Sequence, residues 1–306
     1  MRVAVIDCGT NTVRLFIADP GPDGTLTEVT RVLRFAGLGE GVDATGRFSP
    51  EALQRTFVVV DEYAGIIADS HVDKVRFVAT SAARDVSNRD EFFAGVEARL
   101  GVVPDVISGD EEAQLSFMGA LSGGPADLEA QVLVVDIGGG STELVHGTGA
   151  GQICTKVSLN MGSVRIRERY LHHDPPSVSE VSDARDFVDG LLDSSPVDLG
   201  GIDMYIGVAG TVTSLSAMNL GLTRYDRKKV HNSVLSVAEI QSLSDRLFTL
   251  SVAQTMDDYP SLQPERAEVI CGGALICTEL SRRVAQPMIV RETDILDGTA
   301  LQLMRS

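Results

Sequence analysis

Apolar positions along this chain follow two patterns. Unbroken runs, VAVI at 3–6 and VLVV at 132–135, read as strands buried on both faces. Leu53, Phe57, Val60, Ala64 and Ile67 recur at the period of a helix that Ser49 caps and Pro50 opens. The same reading predicts strands over 26–35, 75–79, 104–107, 153–159 and 288–290. It predicts helices over 50–70, from 88 or 89 to 100, and over 108–121, 163–171, 179–193, 236–250 and 265–283, with a short one after Asp294, Asp297 and Gly298. Residues 206–214, IGVAGTVTS, read as a strand entering a glycine turn, and 224–231, RYDRKKVH, as a basic surface loop.

Both apolar runs end the same way. VLVV leads to Asp136, then Gly138, Gly139, Gly140, Ser141 and Thr142 turn the chain, and Glu143, Leu144 and Val145 begin a returning strand. Glycines there admit positive φ and leave no Cβ in the way, so backbone N–H groups can converge on an anion. Ser141 and Thr142 add hydroxyls, and Asp136 and Glu143 offer two carboxylates suited to hydrated Mg²⁺ beside phosphate oxygens. No lysine follows the glycines, and a strand leaves the turn, so this is not a Walker loop. Residues 3–18 repeat the grammar, with Asp7, Gly9, Thr10, Asn11 and Thr12. A constant offset of 129 pairs Asp7 with Asp136, Gly9 with Gly138, Thr12 with Ser141 and Leu15 with Leu144. The expectation is two related domains, each offering one phosphate hairpin to a shared cleft.

Length and charge sharpen this. For 306 residues about two domains are expected. The break at Gly123, Gly124 and Pro125 sets them at 1–122 and 123–291, with 292–306 returning to the first. A net charge of −17 argues against nucleic acid or an anionic membrane as partner. Cys8, Cys154, Cys271 and Cys277 are scattered, without metal-ligand spacing, and read as reduced, buried thiols of a cytoplasmic protein without a signal peptide. The uncharged stretch 204–223 is too rich in Gly, Ser and Thr for a membrane span. His71, His146, His172, His173 and His231 show no ligand spacing.

Ser108 and Glu111 form a capping-box pair at the start of SGDEEAQLSFMGAL, which gives Glu111 a structural role. Glu112 points about 100° away and reads equally as a solvated first-turn acid or as a functional one. Arg165 and Arg169 share one helical face, read as solvated. Gly210 and Thr211 are further candidate phosphate contacts, and the basic segment 224–231 is a candidate track for a polyanion.

IDCGTNTVRL, VATSAARD, ISGDEEAQLSFMGAL, VVDIGGGSTELV, NMGSVRIRERYL, GVAGTVTSL and RAEVICGGALI occur in this order over nearly the whole chain. The set resembles the exopolyphosphatase / guanosine pentaphosphate phosphohydrolase family. That resemblance implies an α/β fold of two ribonuclease-H-like domains flanking a cleft, the actin-like ATPase fold of sugar kinases and Hsp70-type chaperones. It places the catalytic base on Glu112, an assisting arginine on Arg84, the phosphate-binding loops on Gly9 to Asn11 and on Gly138 to Thr142, and Mg²⁺ near Asp136, Glu143 and Asp7.

The implied reaction is release of orthophosphate from the end of inorganic polyphosphate, with guanosine pentaphosphate as the alternative substrate. A kinase or chaperone-type ATPase, or a polyphosphate or nucleotide sensor with little catalysis, stands as another class. A homodimer is common among similar proteins. Longer members carry a helical C-terminal extension, and this sequence ends soon after the core, so a weak grip on long chains and a preference for short ones are expected.

Overall fold

The computed structural model describes residues 1–84, 86–124 and 127–306, with Asp23 by its backbone alone. Pro125 of the expected boundary and Asp85 of VATSAARD lie outside the described residues. The chain divides into two compact units, 1–123 with 293–306, and 124–292.

In the first unit, β1 (Val3–Cys8), β2 (Thr12–Pro20), β3 (Leu26–Phe35), β4 (Lys74–Ala79) and β5 (Asp105–Val106) form a sheet ordered β3-β2-β1-β4-β5. β1 to β3 are an antiparallel meander, and β4 and β5 add in parallel. The unbroken apolar run of β1 has a direct cause. Ala4, Ile6 and Cys8 face a core with Tyr63, Phe77 and Phe92, whereas Val3 and Val5 face Leu296 and Ala300 of the helix Ile295–Arg305. Both faces are covered, so no polar alternation is tolerated. The terminal helix also lies on the helix Gly109–Ala120 with no room between backbones. A Cβ at Gly119 would run into the Asp294 carbonyl, and one at Gly298 into that of Leu115.

The second unit holds β6 (Gln131–Ile137), β7 (Thr142–Thr148), β8 (Ile153–Leu159), β9 (Met204–Val208), β10 (Val234–Leu235) and β11 (Met288–Val290), ordered β10-β11-β9-β6-β7-β8. From β8 through β11 this is the first sheet's order again: a three-stranded meander, then two parallel strands. The hairpins match to the hydrogen bond. Gly9 N–H donates to the Thr12 carbonyl at 2.9 Å, and Gly138 N–H to the Ser141 carbonyl at 3.0 Å. Two ribonuclease-H-like units in tandem make this an actin-like ATPase fold.

Three expectations about elements are corrected. IGVAGTVTS has no glycine turn: β9 passes directly into the helix Ala209–Asn219, with the change of direction at Ala209, whose φ is +69°. Gly207 lies within the strand ladder, and the position takes glycine because Met288 and Val212 fill the space a Cβ would need. RYDRKKVH is not a loop throughout, since Arg227–Val230 is a helical turn capped by Asp226. The span 265–283 is two helices, Pro264–Ala267 and Ile270–Val284.

Candidate active site

In the first unit, Asp7 lies one residue before the end of β1 and faces Arg14 across the ladder. Arg14 donates through Nη2 (2.6 Å) and Nε (2.9 Å) to one oxygen, Asp7 Oδ2. The other, Oδ1, is buried without a hydrogen-bond partner. Arg14 is itself held by Asp294, the N-cap of the terminal helix, and Arg31 holds Asp297 of the same cap at 2.8 Å. Burial raises the pKa of Asp7 against the pull of Arg14. At Asp294 burial is overcome by Arg14 and Arg31, and the pKa is lowered. In the turn that follows, Thr10 is buried with its hydroxyl 3.1 Å from Ser81 Oγ. Asn11 Nδ2 is a buried donor with no partner, a desolvation cost that a ligand would offset.

Glu112 is buried on the first turn of Gly109–Ala120, and Arg84 Nη1 donates to its Oε2 at 2.6 Å. Glu111, one residue earlier, turns to Arg76 of β4 at 2.8 Å. The capping box is therefore half made: Ser108 Oγ accepts from Glu111 N–H, but the Glu111 carboxylate is drawn off by the arginine. The two adjacent acids are separated by helical geometry, Glu112 inward and Glu111 to the strand edge.

In the second unit the carbonyls of the glycine turn are drawn onto the start of the helix Ser163–Tyr170. Ser163 N–H donates to Gly138 O, and Val164 and Arg165 N–H to Gly139 O. Arg165 Nε reaches Gly140 O at 2.8 Å. Arg165 is thus half-buried on the loop and not on a solvated face. Thr142 is a correction: it is fully buried and its hydroxyl donates to the Met161 carbonyl at 2.6 Å, so it braces the turn and has no proton to give a phosphate. Gly210 lies in the first turn of Ala209–Asn219, with the Arg266 guanidinium where a Cβ would be, and Thr211 is buried against Gly273.

Asp136 and Glu143 stand opposite each other on β6 and β7, both buried. The offset of 129 pairs Glu143 with Arg14, so the second unit sets a carboxylate where the first sets a guanidinium. Like charges directly opposite are unfavourable. Ser158 Oγ donates to Glu143 Oε1 at 2.7 Å. An all-oxygen set of this size suits Mg²⁺, which takes one or two carboxylates and completes its shell with water and phosphate. The unpartnered Asp7 Oδ1 is an acceptor of the same kind. Among the described residues no three His, Cys, Asp or Glu side chains form a metal-holding group by themselves.

Paired glycine hairpins on a duplicated sheet, a buried Glu112 held by an arginine and the ordered motifs around them agree with what a family comparison finds. The Ppx/GppA phosphatase family model matches residues 17–301. The chain belongs to this family. Exopolyphosphatase 2 of Mycobacterium tuberculosis is 44% identical over 319 aligned positions, covering 99% of this chain and 98% of that one. A crystal structure of an exopolyphosphatase-like protein superposes with a TM-score of 0.94 at 41% identity, covering 99% of this chain and 97% of that one. The Ppx/GppA family member of Aquifex aeolicus gives 0.83 at 31%, covering 100% and 98%.

In this Ppx/GppA chain, the basic segment and the cysteines also depart from expectation. Arg227 is engaged with Glu292 at 3.1 Å, so part of the expected cationic track is spent on the protein itself. Cys8 and Cys277 are buried, and burial pushes the Cys277 thiol up to about 12, but Cys154 is exposed. No described helix is long and apolar enough to cross a membrane. Sequence reasoning misses Arg14 and gives Asp294 and Arg165 other roles, a helix start and a solvated face; their partners lie 7, 280 and 25 residues away.

Proposed function

We propose that the chain is an exopolyphosphatase that hydrolyses the terminal phosphoanhydride of inorganic polyphosphate and releases orthophosphate. The observation that carries this reading is the Glu112–Arg84 pair: a buried carboxylate, held in place by a cation, at the start of a helix. Such a group orients and deprotonates water. The water oxygen forms a bond to the terminal phosphorus as the bond to the bridging oxygen breaks. The proton passes to Glu112, and the bridging oxygen leaves as the new chain end.

Arg84 offsets charge on the phosphoryl oxygens and keeps Glu112 in one rotamer. In the first unit Thr10 and Asn11 donate to phosphate, and in the second the N–H groups of Gly139, Gly140 and Ser141 do so, Thr142 bracing them. Transition-state charge is spread over peripheral oxygens, so fixed donors are the main contribution a protein can make. In the second unit Asp136 and Glu143, and in the first Asp7, are the carboxylates that would hold Mg²⁺, which would neutralise charge on the substrate. A net charge of −17 repels the far part of a long polyanion, which favours short chains.

Phosphate release measured side by side from long polyphosphate, tripolyphosphate, guanosine pentaphosphate and ATP with Mg²⁺ tests the proposal. Polyphosphate should be preferred, with the shorter chain turned over faster. Release from guanosine pentaphosphate alone would overturn it, and binding without release would make the chain a sensor.

A further inference from the structure

We propose that Arg165 is a positioning residue that aims the amides of the glycine loop at phosphate. Four donors from the start of one helix take the loop's carbonyls: Ser163 N–H to Gly138 O at 2.9 Å, Val164 N–H to Gly139 O at 2.9 Å, Arg165 N–H to Gly139 O at 3.2 Å, and Arg165 Nε to Gly140 O at 2.8 Å. A trans peptide is planar, with its C=O and N–H pointing opposite ways. Fixing the oxygens of residues 138, 139 and 140 on the helix therefore turns the N–H groups of Gly139, Gly140 and Ser141 away from it. Three successive amides aimed to one side make an anion nest.

Three of the four donors are backbone N–H groups of a helix start, which have no intrahelical partner and are free to bond outward. The fourth depends on a side chain. Gly162 lets the two segments meet, since a Cβ there would run into the Gly139 peptide.

The first unit uses the same device by other means. Gly39 N–H takes the Thr10 carbonyl at 2.8 Å, and Ala36 and Gly37 N–H take that of Asn11 at 3.1 and 2.9 Å. In both units the donors follow the third strand of the meander. There they are all backbone, so Arg165 is where a single side chain controls the direction of a phosphate loop. Its role differs from that of a surface cation. It acts on the loop's geometry, so its loss should weaken phosphate binding more than the chemical step.

This rests on the reading of the loop as a phosphate cradle. The test is phosphate release from tripolyphosphate by the wild type, Arg165→Ala, Arg165→Lys and Arg169→Ala, each with guanidinium chloride or sodium chloride at equal ionic strength. Arg165→Ala should raise KM by about 10- to 100-fold, the weight of one charge-assisted hydrogen bond to a buried carbonyl, with kcat nearly unchanged. Guanidinium should restore part of the loss and sodium chloride none. Arg169→Ala, which keeps the helix and removes an equal charge, should stay close to the wild type. If Arg165→Ala does not fold, Arg165→Lys should show the same KM rise to a smaller degree.

An unchanged KM overturns the proposal, as does a loss shared equally by Arg169→Ala. A wild type that releases no phosphate removes the hydrolase reading alone. The clamp is then measured by calorimetry, where Arg165→Ala should weaken tripolyphosphate binding by the same factor.

Discussion

Arg84 Nη1 lies 2.6 Å from Glu112 Oε2, so the proposed base and the proposed charge-offsetting arginine form one unit before any substrate arrives. Groups that act as a unit lose activity non-additively when removed. Glu112→Gln should lower kcat by roughly 10²- to 10⁴-fold and leave the affinity for polyphosphate nearly intact. Arg84→Ala should lower kcat too, and the double variant should be little worse than the poorer single one. Multiplying losses, measured as kcat in the four-member cycle, would show that the two residues work independently. Glu111→Gln should cost little turnover, because its carboxylate serves Arg76.

The sequence shows what neighbours in the chain decide and hides what the fold brings together. β3, β8 and β11 are legible to the residue, because turn formers bound runs of strand residues. The duplicated hairpin is legible because spacing and residue type repeat together, down to the matching Gly9–Thr12 and Gly138–Ser141 hydrogen bonds. Gly207 and Gly210 misled because they look like turn residues, yet one makes room for Met288 and the other for Arg266. The helix Val252–Asp258 gives no sign beyond Ser251 and Gln254, too short for a period to emerge. That Glu112 is buried, or that Thr142 gives its proton to Met161, depends on which elements lie across from them. No local pattern contains that information.

The contact of Gly298 with Leu115 predicts a stability effect that reaches the site. Gly298→Ala sets a methyl against a backbone carbonyl that cannot rotate away. It should cost about 2–3 kcal/mol, the upper part of the overpacking range, seen as a lower urea midpoint. The helix it displaces is the one that carries Glu112, so kcat should fall as well. An alanine variant with an unchanged midpoint would mean that the two helices separate without cost.

Glu180 predicts a pH dependence. Its carboxylate accepts from the N–H groups of Ser177 (2.7 Å), His172 (2.8 Å) and His173 (3.1 Å), from Ser177 Oγ and from the His173 ring. The Ser177 amide is the largest of the influences that hold its pKa well below the ordinary carboxylate value. A depressed carboxylate contributes stability that is fully present above its unfolded pKa, about 4.3, and is lost as pH falls through the folded value. The Tm gap between the wild type and Glu180→Gln should therefore be constant from neutral pH down to about 5.5. Below about pH 4 it should narrow. Melting curves in a buffer series decide this; a gap that widened in acid would carry the wrong sign.

The exchange of Arg14 for Glu143 between the two hairpins yields a prediction about metal. In the first unit Asp7 meets a guanidinium, and its charge is partly balanced by the protein. In the second unit Asp136 stands opposite Glu143 across the ladder, and Ser158 Oγ donates to Glu143 Oε1 at 2.7 Å. On the proposed reading these two carboxylates hold Mg²⁺. Glu143→Gln keeps the size and the Ser158 bond but removes one negative charge. Added Mg²⁺ should raise the wild-type Tm in proportion to occupancy and raise that of the variant much less, while phosphate release by the variant falls. The thermal shift needs no turnover, so it tests the cation site apart from the reaction. Equal Mg²⁺ shifts in the two proteins would remove Glu143 from that site.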